Sequence, residues 1–177
     1  LPVLRRLICT FDKTRPLTAN EYNQCVTDYA DNLYRFVLKH IRQQEAAKDI
    51  VQDCFEKLWM KKEDVDYLKS RSYLFTSAYH ALVDHVRKWG RMELTEQVPA
   101  SSSGYNAVAP DLRDVLQKAL ETLPDIQRSV VLLRDYEGYS YEEIGEITGL
   151  TESQVKVYIY RARVSLKNYI GSLEAIL

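Results

Sequence analysis

The sequence predicts an all-α protein of two small helical domains joined by a flexible linker, the C-terminal one containing a helix-turn-helix. Three observations predict it. Helix-compatible spacing of apolar residues runs from about Thr18 to Arg91, with no proline between Pro16 and Pro99 and no glycine before Gly90. Residues 98–110, VPASSSGYNAVAP, then replace that pattern with a composition that buries too little apolar surface to order itself. From Asp111 to Ile170 the helical pattern returns as about four pieces, with Pro124 and Gly138 marking joints. Strand-like alternation and internal repeats are both missing. The expected division is residues 1–92, a linker over 93–110, and residues 111–177.

In the first domain the segment AKDIVQDCFEKLWMK, residues 47–61, carries the strongest pattern. Ile50, Val51, Cys54, Phe55, Leu58 and Trp59 make a broad apolar face, so one side packs inward. Asp49, Gln52, Asp53 and Glu56 line another side at spacings of three and four, where like charges repel. A basic partner surface would account for that stripe; a solvated acidic face is the plain alternative. The next helix is expected over about Ser72 to Lys88. Leu74, Phe75, Ala78, Leu82 and His85 or Val86 face inward, while Tyr73, Tyr79 and His80 offer flat rings near the cations Arg87, Lys88 and Arg91. Rings beside cations suit unstacked bases of a single strand.

The second domain holds GYSYEEIGEITGLTESQVKVYIYRAR, residues 138–163. Ser140 with Glu143, and Thr151 with Gln154, each fit a capping box, in which two side chains satisfy the orphan amides at a helix start. Gly149 lies between them, where the chain leaves the first helix in a left-handed conformation. In the second helix Val155, Ile159, Ala162, Leu166 and Ile170 form the inward stripe. Ser153, Lys156, Val157 and Tyr160 lie opposite, flanked by Arg161 and Arg163, placing hydrogen-bonding and cationic groups for a major groove.

Composition narrows the reading. The 177 residues are 46% hydrophobic and 28% charged with a formal net charge of -1, so any nucleic-acid contact must come from local patches rather than from overall basicity. Two such patches exist: Lys156, Arg161, Arg163 and Lys167 against Glu152, and Arg87, Lys88 and Arg91 against Asp84. Cys9, Cys25 and Cys54 are scattered without CxxC or zinc spacing, which fits a reducing, cytoplasmic compartment. No run of eighteen or more apolar residues suggests a membrane span.

The segments DIVQDCFEKLW, YLFTSAYHALVDHVRK and LPDIQRSVVLLRDYEGYSYEEIGEITGLTESQVKVYIYRAR together resemble, in order and separation, bacterial sigma factors of the extracytoplasmic-function class. The resemblance covers about residues 18–172. It implies a transcription initiation factor that binds core RNA polymerase and promoter DNA, needs no cofactor or metal, and carries no catalytic residues. Asp49, Gln52, Asp53, Phe55, Glu56 and Trp59 match the helix that docks on core polymerase. Residues 60–70 match the loop that captures a flipped base of the minus-ten element. Tyr73, Tyr79, His80, Asp84, Arg87, Lys88 and Arg91 fall in the helix that holds the opened strand. Ser140, Thr151, Ser153, Gln154, Lys156, Val157, Tyr160, Arg161 and Arg163 fall in the reader of the minus-thirty-five duplex. Promoter melting is then an act of binding, in which captured bases offset a few kcal/mol of unpairing, on the order of that cost per flipped base. The resemblance further implies an anti-sigma partner, in many cases membrane-bound, a monomer when free, and a linker that runs through the polymerase toward the RNA exit path.

The chain departs from the family pattern at His80, where an asparagine is common, and at Val157 and Tyr158, where Ser-Arg is common. A valine can touch a thymine methyl, but neither residue supplies arginine's bidentate fork to guanine, so no consensus promoter is transferred. Two other readings are open from the residues alone. One is a stand-alone dimeric regulator reading paired half-sites, against which the acidic helix argues. The other is a carboxylate metal site at Asp49, Asp53 and Glu56, which would need a Glu-x-x-His pairing; Val37, Ser77 and Leu82 stand three residues before His40, His80 and His85 instead.

Overall fold

The computed structural model describes residues 15–41, 43–93 and 112–174. Every regular element among them is helical. The first region holds α1 (Ala19–Ile41), α2 (Gln44–Met60) and α3 (Tyr67–Glu93); the second holds α4 (Leu112–Glu121), α5 (Asp125–Val131), α6 (Tyr141–Thr148) and α7 (Glu152–Glu174), with a π-helical turn at Leu132–Tyr136. The expected linker, residues 93–110, lies outside the described residues except for the last residue of α3.

Each helix start has a chemical cause. Thr18 and Glu21 cap α1 reciprocally: the Thr18 amide donates to the Glu21 carboxylate at 2.9 Å and the Glu21 amide donates to Thr18 Oγ1 at 3.2 Å. Arg15 also pairs with Glu21. The helix α3 begins at Tyr67, not near Ser72, because Asp66 acts as its cap: Asp66 Oδ1 accepts from the Leu68 amide at 2.8 Å. The segment between α2 and α3 is therefore brief, and the Leu17 amide donating to the Lys62 carbonyl at 2.7 Å ties it to the start of α1.

In the first region α1, α2 and α3 pack mutually around Cys25, Leu33, Phe36, Val37, Cys54, Leu58, Leu74, Phe75 and Ala78, all buried. Burial holds the Cys54 thiol up to about 11, and Cys25 and Cys54 are both free thiols. In the second region α5 and α7 form the main contact, with Val130, Val131, Ile144, Ile147, Val155, Ile159 and Ala162 inside. The buried Arg128 closes the α4–α5 corner. Its guanidinium donates to the carbonyls of Leu120 at 2.8 Å and of Glu121 and Leu123 at 3.1 Å each, satisfying the end of α4. Asp125 adds a carboxylate 3.8 Å from Arg128, so the buried cation is matched by hydrogen bonds and an ion pair together.

The two regions also touch. Phe36 meets Phe75 edge-on at 5.5 Å, and Phe75 meets Tyr139 at 5.4 Å, so the apolar cores run into one another across α3 and α6. No helix among the described residues is long and apolar enough to cross a membrane.

Candidate polymerase and nucleic-acid interface

On α2 the acidic face is in solvent. Asp49, Gln52, Asp53 and Glu56 are all exposed, and among the described residues none of the three carboxylates takes part in an ion pair. Beside them a shallow groove is lined by Tyr22, Val26, Gln52, Phe55, Glu56 and Trp59. Trp59 is 41% exposed. Its ring lies edge-on against Tyr22 at 4.9 Å, and Lys62 Nζ sits 3.8 Å above it. Phe55 differs from its neighbours in this set: it is buried, and its carbonyl accepts from Tyr22 Oη at 3.2 Å. It builds the floor of the groove rather than presenting a free ring. Tyr22, on α1, belongs to this surface by geometry, and no local pattern in the sequence signals it.

The outer face of α3 presents His80, Asp84, Arg87 and Lys88. Asp84 pairs with Arg87 at 3.8 Å, an exposed contact. Of the rings expected here only part is available. Tyr73 is half-buried, and Tyr79 is 9% exposed, lying in an apolar groove with His40, Leu82, Ile126 and Ser129. Tyr79 is thus a packing residue in this structure, a correction to its reading as an open ring; burial raises its phenol above the usual range. The side chain of Arg91 lies outside the described residues. Two apolar side chains supply what Tyr79 does not. Met60 is 71% exposed and Leu68 87% exposed, flanking the connection between α2 and α3. Their exposure costs hydration free energy and carries no packing benefit.

The helix-turn-helix is built as its capping residues require. Ser140 and Glu143 form a complete capping box, with the Ser140 amide donating to the Glu143 carboxylate at 2.7 Å and the Glu143 amide donating to Ser140 Oγ at 3.2 Å. Those bonds hold the Glu143 carboxyl below its ordinary value. Thr151 and Gln154 repeat the arrangement at α7, with amide contacts of 2.9 and 3.3 Å. Gly149 takes φ +75°, and its amide donates to the Gly145 carbonyl at 2.8 Å. The turn is also tight from the other side: a Cβ at Gly145 would stand 2.8 Å from the Leu150 carbonyl oxygen. Ser140 and Thr151 therefore have their hydroxyls engaged in shaping helices.

The outer face of α7 presents Ser153, Gln154, Lys156, Val157, Tyr160 and Arg161, of which Tyr160 is 70% exposed. Val155, Ile159 and Ala162 face the core, and Leu166 and Ile170 are half-buried. Lys156 pairs with Glu152 at 2.6 Å, an exposed contact that raises its ammonium affinity for protons and that a phosphate can displace. Arg163 is different. Both oxygens of Asp135 accept from it, at 2.5 and 3.2 Å, which holds its guanidinium against the π-turn.

Both regions of the chain are similar to known proteins. Residues 25–92 match the family model described as sigma-70 region 2, and residues 113–166 match the one described as sigma-70, region 4. The sigma factor SigV of Bacillus subtilis is 30% identical over 141 residues, covering 78% of this chain and 84% of its own length. The extracytoplasmic-function factor SigM of the same organism is 28% identical over 144 residues, covering 78% and 88%. SigE of Mycolicibacterium smegmatis is 30% identical over 170 residues, 91% of this chain but 66% of SigE. Among solved structures, RpoE of Bartonella quintana, crystallised with the anti-sigma factor NepR, superposes with a TM-score of 0.73 at 26% identity over 86% of this chain and 98% of that one. CnrH, solved with the cytosolic domain of CnrY, shares the fold at a TM-score of 0.65. The chain belongs to the sigma-70 family, in its extracytoplasmic-function class, whose members bind core RNA polymerase and direct transcription initiation.

Proposed function

We propose that the α2 face is the polymerase-docking surface, that α3 with the connection before it holds the opened minus-ten strand, and that α7 reads the minus-thirty-five duplex. The observation that carries the first assignment is the row Asp49, Asp53 and Glu56, three exposed carboxylates that form no ion pair among the described residues, beside the half-open Trp59. Charges so arranged are repelled from each other in the free protein and are relieved by a basic partner. Trp59 and Tyr22 supply the apolar anchor that such an interface needs at its centre.

On α3 the cations Arg87 and Lys88 meet phosphates, and His80 faces the strand. Met60 and Leu68 offer apolar surface for an extruded base, which gains stacking contact in exchange for its lost pairing. On α7 Lys156 and Arg161 supply phosphate contacts, while Ser153, Gln154, Val157 and Tyr160 face base edges. Arg163 serves the fold through Asp135 before it serves DNA. Residues 1–92 and 111–177 act as separate binding units joined by residues 93–110. Control by an anti-sigma partner is supported by the likeness to RpoE, which was solved bound to one. The site of action is the cytoplasm, where core polymerase is.

Asp53→Arg tests the docking assignment. Asp53 is exposed, so the helical content should be unchanged while affinity for purified core polymerase falls by about tenfold or more, the equivalent of about 1.4 kcal/mol. Equal affinity of variant and wild type would remove this face from the interface.

A further inference from the structure

The groove beside the acidic face of α2 opens at the point where the chain enters the first region. Tyr22 and Val26 of α1 form one wall, Phe55 the floor, and Gln52, Glu56 and Trp59 of α2 the other wall. Its apolar surface is only partly covered, since Trp59 is half-open and Tyr22 and Val26 are half-buried. Its rim is acidic. Glu56 and, one and two turns earlier in α2, Asp53 and Asp49 are exposed and form no ion pair among the described residues. Lys62 Nζ, 3.8 Å above the Trp59 ring, marks the end of the groove nearest the start of α1. At that same end the Leu17 amide donates to the Lys62 carbonyl at 2.7 Å, and Arg15 is bound to Glu21. These contacts bring the chain in at the mouth of the groove, with residues 1–14 still to be placed.

The sequence of that segment, LPVLRRLICTFDKT, complements the groove in both respects. Leu4, Leu7, Ile8 and Phe11 recur at spacings of three and four, the pattern of one apolar helix face. Arg5, Arg6 and Lys13 stand against a single acid, Asp12, a formal charge of +2 (3 − 1) opposite in sign to the rim. We propose that residues 1–14 lie in the Tyr22–Trp59 groove, with Arg5 and Arg6 on the α2 carboxylates, and cover the polymerase-docking face until polymerase displaces them. The inference rests on the reading of α2 as that face, and adds a control of it from within the chain. The spacings agree. Trp59 and Asp53 are six residues apart, about 9 Å along a helix, and Phe11 and Arg5 are also six apart, so a helical segment with Phe11 against Trp59 sets Arg5 beside Asp53. Residues 12–16, DKTRP, are left for the reversal of direction into α1, and a proline suits it. Tethering so close to the groove gives an effective concentration on the order of millimolar, so a contact of modest strength is enough to fill it.

The test keeps the whole chain and reads the groove separately from polymerase. The chain has two tryptophans, and Trp89→Phe leaves Trp59 alone to report. In that background Arg5→Glu plus Arg6→Glu, and separately Leu4→Ser plus Leu7→Ser, are compared with the parent. Acrylamide quenching of Trp59 fluorescence measures access to the groove, titration with core polymerase gives the affinity, and thermal unfolding followed by circular dichroism checks the fold. In each double variant the quenching constant should at least double. Core should bind more tightly, by up to about tenfold for a groove filled about ten to one in the parent. One variant removes the charge and the other the apolar face, so loss of folding in one leaves the other to decide. Quenching that stays at the parent value in both would overturn the proposal, as would higher quenching with unchanged or weaker core affinity. Unchanged quenching together with lost binding to vesicles of phosphatidylcholine and phosphatidylserine would overturn it too, and assign the segment to an anionic lipid surface. If no form of the protein binds core at all, the reading of α2 fails instead, and the quenching still decides whether residues 1–14 cover Trp59.

Discussion

Because both oxygens of Asp135 hold Arg163, the cation nearest in sequence to Arg161 is not equivalent to it. Arg161 and Lys156 are exposed on the face of α7 proposed to read DNA. Lys156→Ala should therefore weaken binding to duplex of any sequence and lower the slope of log affinity against log salt by about 0.9, the signature of one lost phosphate contact. Filter binding of promoter and random duplex across a salt series checks this; a loss confined to one sequence would make Lys156 a base reader. Val157 and Tyr160 are placed for the opposite behaviour. They offer apolar contact to thymine methyls and a single hydroxyl, and discrimination by such groups is weaker than by a bidentate arginine.

At the scale of elements, the helices that announce themselves in sequence are those whose ends are closed by local side chains. The boxes at Ser140–Glu143 and Thr151–Gln154, and the left-handed Gly149, are short-range bonds between residues three or four apart, so the helix-turn-helix was legible throughout. The start of α3 was not. Asp66 caps it, but Lys69 stands three residues on where a capping box would carry Glu or Gln, and the expected start fell late. The burial of Tyr79 was equally hidden, because it lies in a groove shared with Ile126 and Ser129 of α5, and no periodicity within α3 encodes a neighbour from the other region. The π-turn and the Arg71–Glu137 contact, 66 residues apart, leave no local trace either. The acidic face of α2 was readable for the contrary reason: it needs no tertiary partner to be seen.

The contact of α1 with α5 also carries a pH signature. Burial, and then the Arg128 cation, hold His40 down to about 4 against its ordinary 6.5, while Asp125 and the bond to the Phe36 carbonyl favour its charged form. Tyr79 and Arg87 of α3 face the same cavity. Above pH 6.5 neither folded nor unfolded His40 is charged, and stability does not depend on it. Between 6.5 and about 4 the unfolded chain binds the proton and the folded one does not, so stability falls as pH falls, and the loss is complete below 4. Burial of His85 adds in the same direction. Thermal midpoints across that window should decline on acidification, and less so in His40→Gln; an identical decline in the variant would assign the effect to other groups.

At the scale of the molecule, the apolar cores of the two regions join through Phe36, Phe75 and Tyr139. In this arrangement the α2 carboxylates stay exposed, open to the polymerase surface proposed to meet them. With a net charge of -1 the chain has little general attraction to DNA, so free protein should bind promoter duplex weakly at physiological salt and more tightly with core polymerase present. The central claim is that this chain converts core polymerase into a promoter-selective enzyme through the α2 face. Run-off transcription with purified bacterial core polymerase on a library of promoter fragments, with and without the protein, measures it directly. Initiation from a defined subset of templates that depends on the protein, and that Asp53→Arg reduces, is the expected result; initiation unchanged by the protein on every template would contradict it.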